Sequence, residues 1–570
     1  MRYHVLAADY DGTLAHNGRV SESTMAALRL LRESGRRLIL VTGRQMSDLL
    51  EIFPEGLELC DRVVAENGAV IHDPTTKQTR ALVDPPPPAF ARKLSEAIGG
   101  SVQVGKVIVA TWTPHEIAAV ELINEMGLEM QVIFNKGAVM ILPSGVNKAS
   151  GLCAALNELG LSPRNTVGVG DAENDHAFLS ISECGAAVQN ALQALKDRAD
   201  VVTDGDHGAG VEELIDQMVK QDLASLNPRL ARHRLTLGHR LDGQAVTLSP
   251  YRQPILFAGS SGGGKSTLAT ALIESVVEQG YQCCIIDPEG DFQELPNTVT
   301  LGDAQHAPAA HEVLEVLNQP GQNLSVSLVG VPLSDRPSYF EALLPRLFEV
   351  RARTGRPHWI VLDEIHHLAP ANRAPTTLAL PKHPHNLLMI TVHPEHVSPV
   401  FIREVDAVVG IGQLAESVIR EVAKLQKHKV ELPGRAPPTG QGMLWLRDGH
   451  EPPFLFTPAT PKAERRRHIR KYATGELDPD RSFFFRGPDK KLNLRAQNLD
   501  LFVQMADGVD DETWMHHLRA GDYSRWFREN IKDPDLARDA QTIEQEASLS
   551  PTESRQRIRA AIESRYTAAA

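Results

Sequence analysis

Short apolar runs recur along most of this chain, each closed by glycine or a polar side chain and separated from the next by a helical pattern. This alternation constrains the fold more than any other feature. Strands buried on both faces pair parallel to one another, with helices packed above and below. In a first stretch, "YHVLAAD", "RRLILVTGR", "DRVVAENGAVI", "NTVGVGD", "GAAVQN" and "DVVTD" read as strands, and "SESTMAALRLLRESG" as a helix opened by serine and stopped by glycine. A second stretch begins near Leu235, with strands in "PILFA", "YQCCIID", "NLSVSLVGV", "HWIVLDE", "NLLMITV" and "DAVVGIG". With 570 residues and 42% hydrophobic content, the chain needs more than one core. The expected organisation is one α/β domain over 1–222, a second over 235–460 and a helical region over 461–570, loose or partly disordered at its end. An α+β insertion at about 79–142 interrupts the first domain, with "DPPPP" as a stiff start.

Ligands of open α/β sheets bind beyond the carboxyl ends of the strands. Asp9 and Asp11 in "AADYDGTLA" stand there, two apart, so both can face one pocket; Gly12 turns the backbone away and Thr13 adds a hydroxyl. One such carboxylate can attack phosphorus, and the other can protonate the leaving oxygen and then activate water. Two neighbouring acids titrate as a coupled pair. Thr42 in "VTGR" can donate to phosphate oxygens, and Lys148 in "GVNKASGL" can meet developing negative charge. Asp171 and Asp175 in "GVGDAENDHAF", with Asn174 between them, can hold Mg2+.

In this order the four motifs resemble the haloacid dehalogenase-like (HAD) phosphohydrolases, in the Cof-like branch whose cap lies between the second and third motifs. The resemblance covers roughly residues 1–220. It implies a Rossmann-like parallel sheet with Asp9 as nucleophile, Asp11 as acid and base, and Thr42 and Lys148 on the phosphoryl group. It also implies Mg2+ on Asp9, Asp171, Asp175 and the main-chain carbonyl of Asp11. "AENGAVI" resembles the stretch that leads into the cap in this branch, and the insertion is short for it. His115 and Glu116 read as solvated cap-helix residues rather than substrate contacts.

A second phosphate-handling pattern lies in "AGSSGGGKST". Gly259, Ser260, Ser261, Gly262, Gly263, Gly264, Lys265, Ser266 and Thr267 follow an apolar strand and open a helix, the setting in which a glycine loop cradles phosphates. Lys265 can reach the β- and γ-phosphates of ATP, and Ser266 can hold Mg2+. "HWIVLDEIHHL" supplies Asp363 for the metal shell and Glu364 to polarise water. With "IIDPEGDF", these runs resemble the HerA/FtsK-type ATPases over about 235–460. That resemblance implies a P-loop (RecA/FtsK-like) parallel sheet, ATP hydrolysis and often a hexameric ring that moves DNA or protein. Val392 stands where that family usually has a sensor glutamine, and His393 is the available substitute. Arg403 and Arg420 are arginine-finger candidates that read more readily as ordinary surface arginines.

The formal net charge of -13 disfavours nucleic acid as a partner. The five cysteines form no Cys-x-x-Cys pair, which suits a reduced, cytoplasmic protein. The first residues carry no signal-peptide pattern, and no apolar stretch approaches the about 18 residues of a spanning helix. His366–His367 and His516–His517 are adjacent pairs and read as structural. The sequence as a whole predicts a Mg2+-dependent phosphomonoester hydrolase of a small phosphorylated substrate, joined to an ATP-binding unit. Either of two other readings fits the same motifs: a motor with an end-processing phosphatase, hexameric as a homo-oligomer, or a nucleotide-switched scaffold.

Overall fold

The computed structural model describes the chain except residues 227–231, 253, 261–262, 294, 374–379, 382–383, 435, 439, 448, 450, 463–471, 473–476, 478–480, 490–491, 532, 547 and 567–570. The apolar runs of the first stretch form strands whose burial follows from their composition. These are β1 (Val5–Ala8), β2 (Arg37–Val41), β3 (Arg62–Ala65), β4 (Val70–Asp73) and β5 (Gln78–Ala81). Residues β6 (Gln103–Val104), β7 (Val109–Trp112), β8 (Met130–Asn135) and β9 (Ala138–Pro143) form a separate sheet in the order β6-β7-β9-β8. The first sheet is completed by β10 (Thr166–Gly170), β11 (Cys184–Ala187) and β12 (Val201–Val202), in the order β12-β11-β10-β1-β2-β3-β4-β5. It is parallel from β12 to β3, and β4 and β5 add antiparallel strands at one edge. The helix expected after β1 spans Glu22–Glu33, with the Ser21 side chain accepting from Thr24 N–H.

The inserted layer starts later than the sequence suggests. Gln78–Ala81 pairs with β4 and belongs to the first sheet, so the cap begins beyond Ala81 and ends with β9 at Pro143. Alternating exposure along Gln78–Ala81 is the mark of an edge strand. In the cap, helices Pro88–Ile98 and Glu116–Glu125 cover one face of the four antiparallel strands through Phe90, Leu94, Ala119 and Leu122.

The second stretch builds an 11-stranded sheet. Its strands are β13 (Leu235–Arg240), β14 (Ala245–Leu248), β15 (Ile255–Gly259), β16 (Cys283–Asp287), β17 (Thr298–Leu301), β18 (Asn323–Ser327), β19 (Trp359–Leu362), β20 (Leu387–Thr391), β21 (Ala407–Ile411), β22 (Gly442–Leu446) and β23 (Phe454–Pro458). The order is β14-β13-β23-β22-β21-β15-β20-β19-β16-β18-β17, parallel from β21 to β17. Both sheets lie in one compact unit, Met1–Ala459. A buried polar seam joins them. The Tyr281 hydroxyl donates to Glu183 Oε2 at 2.9 Å, His358 Nε2 meets Asn165 Oδ1 at 2.9 Å, and Arg356 donates to the Gly160 carbonyl at 2.5 Å. Arg2 pairs with the same Glu183 carboxylate, whose side chain is 1% exposed. Burial of these polar groups is tolerated because they bond one another across the seam, although Arg356 Nε itself has no partner.

The second compact unit, Thr460–Ala570, contains helices and a short hairpin, β24 (Phe483–Phe485) with β25 (Leu494–Ala496). Its core is aromatic: Phe485 stacks on Phe502, and Trp514 on Tyr523. Trp514 Nε1 donates to Ser554 Oγ at 2.9 Å and Trp526 Nε1 to the Arg481 carbonyl at 2.9 Å, so both indoles are satisfied. Pro551–Tyr566 is helical and buries Ile558 and Ile562 against this core. Among the described residues no helix is long and apolar enough to cross a membrane.

Candidate active site

Three strand ends and one helix start converge beyond the carboxyl edge of the first sheet. Asp9 follows β1, Thr42 follows β2, Asp171 follows β10, and Lys148 opens the helix Lys148–Glu158, which Asn147 caps by accepting from Ala149 and Ser150 N–H. Lys148 Nζ donates to Asp9 Oδ1 at 2.6 Å and to Asp175 Oδ1 at 2.5 Å, with 1% of its side chain exposed. Asp175 also accepts through Oδ2 from the N–H groups of Asp171 (2.8 Å) and Ala172 (2.9 Å), which folds the Asp171–Asp175 turn. Burial pushes the Asp9 carboxyl up to about 8; Lys148 opposes this, and Asp175 and Asp171 add to it. The Lys148 ammonium, flanked by two carboxylates, is held above its ordinary value even though burial pulls the other way.

Asp9, Asp171 and Asp175 each offer a carboxylate oxygen within 4.8 Å of the others, and all three are buried. Three hard oxygen donors facing one lysine fit a divalent cation of the Mg2+ type. Gly12 is required at this point. Its φ is +86°, and a Cβ there would lie 2.3 Å from Asp171 Oδ2. Thr13 Oγ1 donates to Asp171 Oδ1 at 3.3 Å. Thr42 is buried, its N–H bonded to the Val64 carbonyl and its hydroxyl accepting from Arg44 N–H at 3.2 Å. Asn174 donates to Asn67 Oδ1 at 2.8 Å, which ties the β10 loop to the cap approach.

Asp11 lies apart from this buried group. Arg44 grips it through two bonds, Nε to Oδ2 at 2.6 Å and Nη2 to Oδ1 at 2.7 Å. A second cation comes from the cap: Lys136 Nζ donates to Asp171 Oδ2 at 2.6 Å. Neither Arg44 nor Lys136 stands out in the sequence. Arg44 closes the "VTGR" motif that drew attention only to Thr42. Lys136 lies in "NKG" between two apolar runs, a hairpin signal with no chemical one. His115 and Glu116 are half-buried at the start of the helix Glu116–Glu125.

A second convergence lies at the corresponding edge of the larger sheet. β15 ends at Gly259, and the helix Lys265–Glu278 begins after Gly264, whose φ is +103°. A Cβ on Gly259 would lie 2.4 Å from the Ile411 carbonyl, so the backbones approach closely there. Lys265 Nζ donates back to the Ser260 carbonyl at 3.1 Å, and Gly263 N–H donates to the same oxygen at 3.1 Å. Ser266 and Thr267 lie in the first turn of the helix; Ser261 and Gly262 fall outside the described residues. Asp363 and Glu364 follow β19. Asp363 is buried with Oδ2 unpartnered, and burial with Asp287 and Asp291 nearby lifts its carboxyl well above the ordinary range. For Glu364, burial is outweighed by His366 and Lys265, which hold its carboxyl below the ordinary value. Burial lowers the Lys265 ammonium against the pull of Glu364 and Asp363.

Two histidines of this region have defined contacts. His366, read as structural, faces Glu364 at 3.2 Å and bonds the Thr391 hydroxyl at 3.0 Å. Adjacent histidines carry no site signal in sequence, but the turn after β19 brings the first beside the acid. At the sensor position, the N–H of His393 donates to the Thr391 hydroxyl, while its ring turns to Glu395 at 3.1 Å. Arg403 and Arg420 are exposed. His517 is buried and bonds Asp522 at 2.7 Å, a packing role.

A mostly parallel sheet with an inserted cap, and buried aspartates at its carboxyl edge, define a Rossmann-like α/β domain with an acidic site fit for a divalent cation. The haloacid dehalogenase-like hydrolase family matches residues 6–89 and 115–215. A phosphoglycolate phosphatase from Methanothermobacter thermautotrophicus is 31% identical over 222 residues, covering 37% of this chain and 96% of that protein. One from Methanobrevibacter smithii is 31% identical over 235 residues, covering 38% of this chain and 100% of that protein. A third, from Haloarcula marismortui, is 29% identical over 218 residues, 37% of this chain and 95% of that protein. Through these N-terminal residues the chain belongs to the haloacid dehalogenase-like hydrolases.

Proposed function

We propose that the first unit hydrolyses a small phosphomonoester through a covalent phosphoryl-aspartate on Asp9. The observation that carries this reading is the buried Asp9–Lys148–Asp175 arrangement, with Asp171 completing a set of cation ligands. Asp9 attacks phosphorus, the bond to the ester oxygen breaks, and Asp11 gives that oxygen a proton. Asp11 then takes a proton from water as the water attacks the phosphoryl-aspartate, which frees phosphate and restores Asp9. Thr42 and Lys148 hold the phosphoryl oxygens. Asp9, Asp171, Asp175 and the main-chain carbonyl of Asp11 would hold Mg2+, which supplies positive charge that screens the phosphoryl dianion from the attacking carboxylate. Phosphoglycolate, the substrate in the relatives' names, is the first substrate to test. The test is turnover by the full chain of phosphoglycolate, sugar phosphates and nucleotides with Mg2+, against Asp9→Asn and against chelator. Turnover that persists in Asp9→Asn contradicts the reading.

A second reading concerns the larger sheet and rests on Lys265, Asp363 and Glu364 meeting at one edge. We infer that Lys265 and the backbone from Gly259 to Gly264 receive the phosphates of ATP. Ser266 and Asp363 serve its Mg2+, and Glu364, steered by His366, aligns water. The polar seam through Glu183 and Tyr281 links the two sheets that carry these sites.

A further inference from the structure

Beyond the reaction lies the question of what is attached to the phosphate. The cap answers through one residue. β8 and β9 pair Asn135 with Ala138, which leaves Lys136 and Gly137 as a two-residue turn. Their φ values are +48° and +90°, the conformation of a type I′ turn, where asparagine, aspartate or glycine are the favoured residues at both positions. Here a lysine accepts the first position, at a conformational cost. Its ammonium is delivered over the Asp9–Gly12 turn: it lies 2.6 Å from Asp171 Oδ2 and 2.6 Å from where a Gly12 Cβ would stand.

The same cap sheet turns an apolar face toward the core. Directly paired residues share a face, so Ala110, Ile133 and Met140 lie together, with Trp112 two positions along from Ala110. Met140 Cε would touch a Cβ on Gly43 at 3.2 Å, which places this face against the β2 end. Trp112 is 58% exposed. The cap side of the space above the catalytic aspartates therefore carries Ala110, Ile133 and Met140 with Asn135 on the same face, and Lys136 in the adjoining turn is half-exposed.

We propose that Lys136 is a specificity residue that binds a carboxylate on the leaving group, so that the preferred substrate class is small phosphorylated carboxylic acids. This rests on the phosphatase reading above. In the resting protein the Lys136 ammonium occupies Asp171. A divalent cation held by Asp9, Asp171 and Asp175 would take over that charge and leave the ammonium facing the space between cap and aspartates. The Lys136 side chain is 50% exposed, and a substrate carboxylate gives its ammonium a charge-assisted hydrogen bond. A neutral leaving group of the same size leaves the lysine unpaired, which is how a site built to bond a group rejects the analogue lacking it.

The experiment compares kcat/KM of the full chain for 2-phosphoglycolate and 2-hydroxyethyl phosphate, in the natural sequence, Lys136→Ala and Lys136→Arg. The proposal expects a preference for phosphoglycolate of about tenfold or more, the size of one hydrogen bond to a charged group. Lys136→Ala should lose that preference, mainly through KM, with turnover of 2-hydroxyethyl phosphate little changed; Lys136→Arg should recover part of it. Calorimetric titration with Mg2+ supplies a reading independent of turnover: Lys136→Ala should bind Mg2+ severalfold more tightly, since the competing ammonium is gone. Equal losses on both esters, or no preference in the natural sequence, overturn the assignment while leaving the phosphatase reading intact. Unchanged or weaker Mg2+ binding overturns the release of Lys136 from Asp171. Absence of turnover on every ester, with Mg2+ present, overturns the phosphatase reading and this inference with it.

Discussion

Lys148 holds its ammonium 2.6 Å from Asp9 Oδ1 in a pocket that exposes 1% of the lysine side chain and 6% of the aspartate. The contact fixes the carboxylate that faces the cap, and the bond from the same ammonium to Asp175 fixes the cation-binding turn. Removing one partner of a buried ion pair leaves the other uncompensated. Lys148→Met should lower the stability of the Met1–Ala459 unit by about 3 kcal/mol or more and abolish ester turnover. Thermal unfolding and initial rates check both, and a variant as stable and as active as the natural sequence contradicts the assignment.

Gly12 makes a separate prediction. A methyl group there meets Asp171 Oδ2 and forces a left-handed residue into strain. Gly12→Ala should cost about 1–3 kcal/mol in stability and weaken Mg2+ binding measurably, because Asp171 must move. Calorimetry with Mg2+ decides this; affinity equal to that of the natural sequence speaks against Asp171 as a ligand.

Stability should fall in acid through two buried histidines. Burial, reinforced by the N-terminal ammonium, lowers His4 from 6.5 to about 4. Burial, reinforced by Arg356 and Arg351, holds His358 well below its ordinary value. Below about 6.5 the unfolded chain binds protons at these positions and the folded chain does not, so stability is complete above that pH and declines as pH falls toward 4. His4 alone accounts for about 3 kcal/mol across that window. Melting temperature against pH should drop less steeply in His4→Gln than in the natural sequence; parallel curves refute this account.

The larger sheet is checked through Lys265. Mg2+ with ATP should raise the melting temperature of the natural chain, because a ligand that binds only the folded state stabilises it. Lys265→Ala should lose that shift while keeping its ester turnover. A shift of equal size in both proteins removes Lys265 from nucleotide binding.

Much of the catalytic edge was legible in sequence because its residues lie at strand ends, where local motifs and the alternation of strand and helix locate them together. Asp9, Thr42, Lys148, Asp171 and Asp175 are brought to one edge for this reason. Arg44 and Lys136 were not legible, since their meaning depends on how the cap closes over the sheet. Lys136 is 35 residues from Asp171 in sequence and joins it only through the β8–β9 turn. The Glu183–Tyr281 seam spans 98 residues and two sheets, and no local pattern foretells it. Sequence alone places the insertion from about Thr79, yet backbone pairing to β4 puts Gln78–Ala81 in the first sheet. That His366 stands beside Glu364 was not legible for a similar reason: Glu364 sits at φ +38°, an unusual turn that redirects the chain.

The most direct test of the whole account is to find the phosphoryl group on Asp9. The full chain is mixed with Mg2+ and phosphoglycolate, quenched in acid within the first turnover, digested and examined by mass spectrometry. A peptide containing Asp9 that carries one added phosphoryl group, present in the natural sequence and absent in Asp9→Asn, is the predicted result. Rapid turnover with no modified Asp9 peptide, or the phosphoryl group on another residue, contradicts the central claim.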